Sequence, residues 1–335
     1  MKAAIYNGIK NIEVKDLPTP VCGDNDVIVK NLYAGICGSD INAYLHGGKD
    51  VMIYDGYEFG HEMISAVCAK GKNVTGVKIG QRVFPVPTDA KKEGLLRAAT
   101  VGGFSEYVKI DNFELGRSVA LVPDEITDKQ AVLLEPLLIG CNAVRPLEVV
   151  KGKKAIVYGA GPIGLMSAIT LKYLGCDVII CDIIDFRLNI AKELGLYVCN
   201  TLTEDYVKKC KQIFGVASGF FGEAIDADYY VDAAGNQAVI DLFFAGAKTY
   251  AKLSIVAVHH KPITINPIPV TYDGYQIVGP NGNYHNNMKL GLDILRSHQF
   301  DVEKIITHEY SHDAMLDAFE MATDGKKALK VVIKY

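Results

Sequence analysis

The chain lacks the features that mark several classes of protein. No apolar run approaches the roughly 18 residues that a membrane-spanning helix requires. The 35 basic and 39 acidic side chains give a net charge of −4, which provides no electrostatic attraction for nucleic acid or for an anionic membrane. Repeats and low-complexity tracts are also missing. The sequence therefore predicts no nucleic-acid or membrane partner, and the length of 335 residues favours two globular domains.

The eight cysteines are scattered, and no two of them form a CxxC pair. This spacing indicates neither a redox dithiol nor a zinc site built from paired knuckles. The first residues, MKAAIYNG, lack the apolar segment of a signal peptide. We therefore expect a cytoplasmic protein whose thiols are mostly free and, by default, buried as small apolar side chains.

Two patterns of secondary structure divide the chain. Residues 1–136 contain short alternating segments separated by Gly, Pro, Asp and Asn, which predicts a mainly antiparallel β domain. Within 137–278, apolar strands alternate with helices, which predicts a doubly wound parallel sheet. The alternation then ends, and 279–335 is predicted to rejoin the first domain. Before the second domain, Thr127 is the predicted N-cap of a helix that Glu135-Pro136 interrupts.

A glycine-rich loop opens the second domain. Residues 159–164 read GAGPIG, which fits GxGxxG and lies between an apolar strand and a helix. In such a loop Gly159 permits the tight turn, Gly161 lets the backbone approach a pyrophosphate, and Gly164 lets helix and strand pack closely. The N–H groups of the helix would hold the phosphates. The predicted cofactor-binding residues of this loop are Gly159, Gly161, Pro162, Ile163 and Gly164.

Asp182 ends the next predicted strand, 21 residues after Gly161 (182 − 161). A carboxylate at this position can accept both ribose hydroxyls and would repel a 2′-phosphate, which favours NAD over NADP. Arg187 weakens this preference, since a nearby arginine could bind that phosphate; we interpret it as lying beside the adenine. The alternative is that the glycines serve only the turn and Asp182 caps a helix.

The segment after the last predicted strand of this domain contains Val258 and the pair His259-His260. We expect this segment to border the nicotinamide pocket. A solvated loop is the alternative.

One cysteine is flanked by glycines, in GICGSD at residues 35–40. Glycine brings the backbone close to other groups and leaves the thiol of Cys37 accessible. His61-Glu62 supplies an imidazole beside a carboxylate, and Glu135 adds a second carboxylate. These donors suit zinc, and three protein ligands leave a position for water or substrate. Only the fold can bring such distant residues together; otherwise a lone cysteine or histidine is usually a core or surface residue.

In this order, GICGSD, GHE, LLEPL, VYGAGPIGLM and a strand ending in aspartate resemble the zinc-containing medium-chain dehydrogenases. The similarity is greatest to the polyol branch of sorbitol dehydrogenases, with threonine and butanediol dehydrogenases nearby. It runs almost end to end, because MKAAIY, GGFSEYV, ITHEYS and KVVIKY also fit. The resemblance implies a GroES-like catalytic domain of 1–136 and 279–335, a Rossmann domain of 137–278, and an active site in the cleft between them.

The resemblance also implies functional roles for particular residues. Cys37 and His61 would be zinc ligands, Glu62 a ligand or an immediate neighbour, and Glu135 a ligand that some members reach through water. Which carboxylate contacts the metal stays open. Ser39 is expected to accept the substrate hydroxyl proton, with helix capping as the alternative. NAD, a small alcohol or polyol substrate and a homo-oligomer, dimer or tetramer, are also implied.

Two departures from the family pattern affect these expectations. Residues 83–107 contain no cysteine, whereas many members carry four there that hold a structural zinc. We therefore expect one zinc per chain, and the subunit contact that this lobe often makes in the family is not implied for this chain. Asn42 replaces a proton-passing histidine of several members and cannot accept a proton at neutral pH; His46 or water would then serve. Lys91 and Lys92 could hold a substrate phosphate or form a solvated charged run.

Taken together, the sequence predicts a zinc-dependent oxidoreductase that transfers a hydride between NAD and a secondary alcohol of the polyol type. A threonine, butanediol or phosphorylated-polyol dehydrogenase is the enzymatic alternative. A zinc-free quinone-reductase-like relative is less favoured, because it would not need Cys37 with His61-Glu62. The alternative of a different class is an NAD-binding relative without catalytic activity. Asn42, which replaces the proton-passing histidine, is the one feature that favours it.

Overall fold

A computed structural model describes residues 1–90 and 101–335. The chain forms two compact units, Met1–Glu135 with Val302–Tyr335, and Pro136–Asp301. The first boundary agrees with the expected one at residue 136. The return to the first unit comes later than the expected residue 279, because 279–301 lies in the second unit and its helix buries Ile294 and Leu295.

Strands and helices are numbered in chain order over the described residues. The strands are β1 (Lys2–Tyr6), β2 (Ile12–Asp16), β3 (Val27–Gly35), β4 (Tyr57–Glu58), β5 (Glu62–Lys70), β6 (Arg82–Pro85), β7 (Tyr107–Ile110), β8 (Val119–Leu121), β9 (Lys154–Tyr158), β10 (Asp177–Asp182), β11 (Tyr197–Asn200), β12 (Val216–Gly219), β13 (Gly222–Ile225), β14 (Tyr229–Asp232), β15 (Lys252–Ile255), β16 (Gln276–Val278), β17 (Ile306–Ser311) and β18 (Lys330–Lys334). The helices are α1 (Gly38–His46), α2 (Asp128–Ala131), α3 (Leu134–Val144), α4 (Pro162–Tyr173), α5 (Asp185–Glu193), α6 (Tyr206–Phe214), α7 (Gln237–Gly246), α8 (Pro267–Tyr272), α9 (Met288–Arg296) and α10 (Met315–Thr323). Within the described ranges, no helix combines the length and the apolar character needed to cross a membrane.

The first unit is built on antiparallel sheets, as its alternating segments predict. One sheet has the order β17-β18-β3-β5-β6-β8, with β7 also paired to β3, and a second has the order β2-β1-β4. All these pairs are antiparallel except β17 with β18. An aromatic cluster of Phe59, Phe104 and Phe319, with no exposed surface, packs in its core. Pairing between β3 and β5 positions the first candidate site.

The second unit contains a parallel six-stranded sheet in the order β11-β10-β9-β14-β15-β16. The strand order reverses between β9 and β14, and ligands of such sheets bind outside the carboxyl ends of the strands at this reversal. The prediction of a doubly wound sheet is confirmed. Sequence analysis missed β11, α6 and the β12–β13 hairpin, because their apolar segments are short and interrupted by polar residues.

The junction near Glu135 differs from expectation in one detail. Thr127 does cap α2, since its side chain accepts a hydrogen bond from the Gln130 backbone N–H. The expected interruption is present but lies earlier, at residues 132–133 between α2 and α3, because α3 begins at Leu134 and continues through Glu135 and Pro136. Proline is tolerated in the first turn of a helix, where its missing N–H has no partner in any case.

Candidate functional site

The expected convergence of a thiol, an imidazole and a carboxylate is present in the first unit. Cys37 follows β3, and His61-Glu62 lies at the start of β5. These strands pair in a register that places Gly35 opposite Glu62. The ligand atoms of Cys37, His61 and Glu62 consequently lie within 4.8 Å of one another.

Glycines beside these donors leave room for them. A Cβ atom at Gly35 would lie 2.3 Å from Oε2 of Glu62, so any side chain there would displace the carboxylate. Gly60, just before His61, has a φ of +90°, and a Cβ atom on it would lie 2.7 Å from the Phe104 ring. Gly35 therefore leaves room for the Glu62 carboxylate, and Gly60 leaves room for the Phe104 ring beside His61.

Lys330 is a member of the site that sequence analysis missed. Its Nζ donates to Oε2 and Oε1 of Glu62 at 2.6 and 2.8 Å, and to the Ile36 carbonyl at 3.0 Å. The lysine and glutamate side chains are only 3% and 1% exposed. Their contact depends on β18 pairing with β3. The available signal was a lysine at the start of the apolar strand KVVIK, which must either reach solvent or find a buried partner.

Asp40 is a second residue that sequence analysis missed, although it belongs to the GICGSD motif. It has no exposed surface, and Oδ2 accepts a hydrogen bond from the Cys37 N–H at 2.8 Å. Burial raises the pKa of this carboxyl to about 6, against the opposing charge of His61. Asp40 therefore holds the backbone of Cys37 and adds a carboxylate near the imidazole.

The potential around His61 favours positive charge. Burial by itself lowers the pKa of the imidazole, but Cys37, then Asp40 and Glu135, outweigh it and raise that pKa well above its usual value. Burial likewise lowers the pKa of Lys330, but the charge of Glu62 outweighs it and raises that pKa above its usual value. These directions describe a buried, electron-rich set of donors that attracts a cation.

The residues of this set fit zinc by donor chemistry. Nδ1 of His61 is buried and lacks a hydrogen-bond partner among the described residues. Buried ring nitrogens are rarely left unsatisfied, and a metal ion would satisfy this one. A thiolate, an imidazole and a carboxylate are ligands of zinc, and this combination leaves a coordination position for substrate.

Glu135 lies in the first turn of α3 and is 3% exposed. Its carboxylate is not part of the group of ligand atoms within 4.8 Å found among the described residues. Its charge nevertheless acts on both His61 and Lys330. The structure thus brings Glu62 into the compact group and leaves Glu135 as a neighbouring carboxylate.

Ser39 does not cap a helix, so that alternative is wrong. The N-cap of α1 is Cys37, and Ser39 is the second residue of the helix. Its Oγ is buried with no hydrogen-bond partner in the described ranges. The possible proton carrier His46 is exposed in the last turn of α1. Lys91 and Lys92 lie outside the described residues.

The glycine loop of the second unit has the surroundings that its predicted roles require. Gly159 follows β9 with a φ of +96°, a conformation that favours glycine. A Cβ atom at Gly164 would lie 1.8 Å from the Gly159 carbonyl oxygen, so helix and turn touch. A Cβ atom at Gly161 would meet nothing within 4 Å, which leaves open space for a ligand before Pro162 and Ile163 begin α4.

Asp182 ends β10 and organises the same loop. Its Oδ2 accepts from Ala160 N–H at 2.6 Å, and its Oδ1 accepts from Ile183 and Ile184 N–H at 2.7 and 3.0 Å. It does not cap α5, whose N-cap is Ile184. A cavity of about 340 Å³ has Gly159, Gly161, Asp182 and Arg187 in its wall. Asp182 can thus present a carboxylate to a ligand in this cavity.

The segment after β15 is tied to a buried carboxylate. Nε2 of His259 lies 2.7 Å from Oδ2 of Asp232, which has no exposed surface. The other oxygen of Asp232 accepts from the N–H groups of Ala234 and Gly235. His259 is therefore held in place, unlike a residue of a solvated loop, whereas Val258 is 76% exposed.

Comparison with known proteins gives consistent matches. The family model described as alcohol dehydrogenase GroES-like domain matches residues 23–123, and the model described as zinc-binding dehydrogenase matches residues 162–297. Sorbitol dehydrogenase of Bacillus subtilis (strain 168) is 28% identical, covering 99% of this chain and 97% of that protein. L-threonine 3-dehydrogenase of Legionella pneumophila (strain Corby) is 26% identical, covering 97% and 96%. The crystal structure of 2R,3R-butanediol dehydrogenase from Bacillus subtilis has a TM-score of 0.86 and 25% identity, covering 100% and 99%.

Proposed function

The chain belongs to the zinc-containing medium-chain dehydrogenases, and we propose that it transfers a hydride between NAD and a secondary alcohol of a polyol. Membership makes it an alcohol or polyol oxidoreductase that uses zinc and a nicotinamide cofactor. The polyol substrate, the choice of NAD and a single zinc are our proposals. The observation that carries the proposal is the compact group of Cys37, His61 and Glu62.

These three residues would hold the catalytic zinc, with Glu135 as a further carboxylate. When bound, the ion supplies Lewis acidity toward an alcohol oxygen. Lys330 binds both oxygens of Glu62, so this carboxylate would share its charge between lysine and metal. The absence of cysteine from 83–107 supports one zinc per chain.

Proton movement would start at Ser39. Its buried Oγ has no partner among the described residues and can accept a hydrogen bond from a substrate hydroxyl. With Asn42 unable to accept the proton, water would carry it onward. A hydroxyl that is already buried and unpaired needs no rearrangement before substrate arrives, which suits a relay group.

The second unit would bind NAD through the glycine loop. The N–H groups at the start of α4 would hold the pyrophosphate, and Asp182 would accept hydrogen bonds from the adenosine ribose. Arg187 would cover the adenine, and the segment from Val258 to His259 would border the nicotinamide. The cavity lined by Gly161, Asp182 and Arg187 supports this assignment.

A substrate screen tests the proposal. The purified chain is assayed with polyols, diols, threonine and sugar phosphates, each with NAD and with NADP, alongside metal analysis. We expect the highest kcat/KM for a polyol with NAD, and about one zinc per chain, held by Cys37, His61 and Glu62. NAD binding without reduction across the whole panel would favour the catalytically silent alternative. A preference for threonine, a diol or a sugar phosphate would favour the corresponding dehydrogenase. A cytoplasmic location and a dimer or tetramer stay predictions.

A further inference from the structure

A second group of possible metal ligands lies inside the second unit. Cys181 on β10 and Cys199 on β11 are register partners in adjacent parallel strands, so their side chains leave the same face of the sheet. Cys210 lies on the buried face of α6, which packs against β11. The three sulfur atoms lie within 4.8 Å of one another. Neither a CxxC motif nor any other spacing in the sequence predicts that these three cysteines meet.

These thiols are buried, with exposed fractions of 2% for Cys181 and 0% for Cys199 and Cys210. A single buried cysteine packs as a small apolar side chain, but three in mutual contact also interact as donors and acceptors. Hydrogen bonds from Cys181 and Cys210 lower the pKa of Cys199 to about 4. Burial raises the pKa of Cys181 well above its usual value. The charge of Lys209 also lowers the pKa of Cys199, against the opposing charge of Glu204.

Tyrosine hydroxyls face the same group. Tyr158, Tyr206 and Tyr230 pack in one apolar cluster with the three cysteines. The hydroxyls of Tyr158 and Tyr206 bond each other at 2.6 Å, whereas the Tyr230 hydroxyl is fully buried and has no partner in the described part of the chain. Burial, followed by the charge of Cys210, raises the pKa of this hydroxyl. An anionic metal–thiolate group could accept a hydrogen bond from the Tyr230 hydroxyl and so satisfy this buried donor.

We propose that Cys181, Cys199 and Cys210 form a second metal site, which binds a soft cation of the copper(I) type through three thiolates. Soft sulfur donors select such ions over Mg²⁺, Ca²⁺ and Mn²⁺, which prefer oxygen. Structural zinc sites have four protein ligands, and this group has three, whereas copper(I) accepts trigonal coordination. A metal at about 2.3 Å from each sulfur would hold the sulfurs roughly 4 Å apart, so only a small contraction is needed.

Binding would release the thiol protons to solvent and leave the oxidation state of sulfur and metal unchanged. The metal would link α6 to β10 and β11, which already pair with each other in the sheet. Cys181 is also one of the residues that line the 340 Å³ cavity beside Asp182, so we expect an ion to enter from this side. The site does not depend on the polyol dehydrogenase activity proposed above.

Copper(I) alone is the probe for the experiment. The zinc-loaded full-length chain is titrated without oxygen against bicinchoninate, a chromophoric copper(I) chelator, and its thermal unfolding is followed. We expect the wild type to take one equivalent of copper(I) per chain from the chelator and to unfold at a higher temperature. Cys199→Ser should lose this equivalent and the thermal shift. Cys210→Ala is the second variant, in case Cys199→Ser fails to fold.

Two controls separate this site from other thiols. Cys176→Ser removes a buried cysteine of the same unit that is outside the group, and it should keep the equivalent. Cys37→Ser removes the thiol of the zinc site and should also keep it. Retention of the equivalent by folded Cys199→Ser and Cys210→Ala, or uptake that depends on Cys37, would overturn the proposal. A second zinc equivalent that is lost in Cys199→Ser would overturn the assignment to copper(I).

Discussion

The two units place their functional residues in different ways. In the second unit, the glycine loop is one contiguous segment, and Gly164 lies against the Gly159 carbonyl of the same loop. In the first unit, the candidate zinc ligands come from the end of β3 and the start of β5, and their charge partner Lys330 comes from the last strand. A local motif can be recognised by its spacing, whereas a site assembled by strand pairing is visible only when the register is known.

The two sites also differ in how a substitution would change the stability of the protein. The first-unit site buries an ion pair and several donors, so removing one partner of the pair should destabilise the protein strongly. The glycine loop depends on missing side chains, so adding one atom is enough to disturb it. Substitutions in each unit can therefore test whether its site depends on distant pairing or on local space.

Removal of the thiol in the first unit should have the largest effect. We expect Cys37→Ser to lower kcat by about a thousandfold or more, since a Lewis-acid metal supplies several kcal/mol and each 1.4 kcal/mol is tenfold in rate. The dissociation constant for NAD should stay nearly unchanged. Steady-state kinetics, NAD binding by calorimetry and zinc analysis measure these quantities.

The matched control is Cys68→Ser. Cys68 is a half-buried residue on β5 whose thiol donates a hydrogen bond to the Ile28 carbonyl. It should keep zinc and turnover. Turnover in Cys37→Ser within a few-fold of wild type would remove the zinc role from this cysteine.

Loss of the distant charge partner should have the next largest effect. Lys330→Met leaves the Glu62 carboxylate buried without its cation, so the free energy of unfolding of the zinc-free protein should fall by about 3–5 kcal/mol. Zinc is removed first with a chelator, because a bound cation would also neutralise Glu62. Urea denaturation gives the stability.

Adding Glu62→Gln to Lys330→Met should restore most of the lost stability, since neither position of the former pair then carries a charge. Lys2→Met, which removes an exposed lysine paired with Asp313, is the control and should change stability little. Equal stability of Lys330→Met and wild type would mean that the buried pair does not stabilise the first unit.

In the glycine loop, two substitutions distinguish a glycine needed for packing from one that leaves space for the ligand. Gly164→Ala puts a methyl group 1.8 Å from the Gly159 carbonyl and should destabilise the protein by about 3 kcal/mol through overpacking. Gly161→Ala enters open space and should cost less than about 1 kcal/mol, yet it should weaken NAD binding at the pyrophosphate. Denaturation and NAD titration of both variants test this contrast. Equal effects of the two variants on stability would contradict it.

The smallest expected effect concerns the choice of cofactor. Asp182→Asn removes the charge and keeps only one of the two oxygens that accept backbone N–H bonds, so the affinity for NAD should fall by about tenfold or more, in keeping with the loss of one charged hydrogen bond. The affinity for NADP should fall less or rise, because the carboxylate no longer repels a 2′-phosphate. Asp177→Asn, at the exposed start of the same strand, is the control and should leave both affinities unchanged. Parallel losses for both cofactors would contradict the proposed contact with ribose.

Much of the fold was predictable because its signals are local. The alternating segments of the first unit and the strand–helix alternation of the second predicted the sheet types correctly. The predicted helix break lies at residues 132–133 rather than at Glu135-Pro136, because proline is tolerated in the first turn of the next helix. The return boundary was expected too early, because an amphipathic helix such as α9 shows that it has a buried face but not which unit covers that face.

The sequence by itself determined the chemical identities: a thiol, an imidazole and carboxylates suited to zinc, and a glycine loop with an aspartate at the end of the next strand. Only the tertiary structure decided that Glu62 rather than Glu135 joins the compact group, that Lys330 neutralises it, and that three scattered cysteines converge on one point. The physical reason is that donor chemistry belongs to single side chains. Distance, burial and charge pairing between remote residues depend on strand register and helix packing, which no local pattern records.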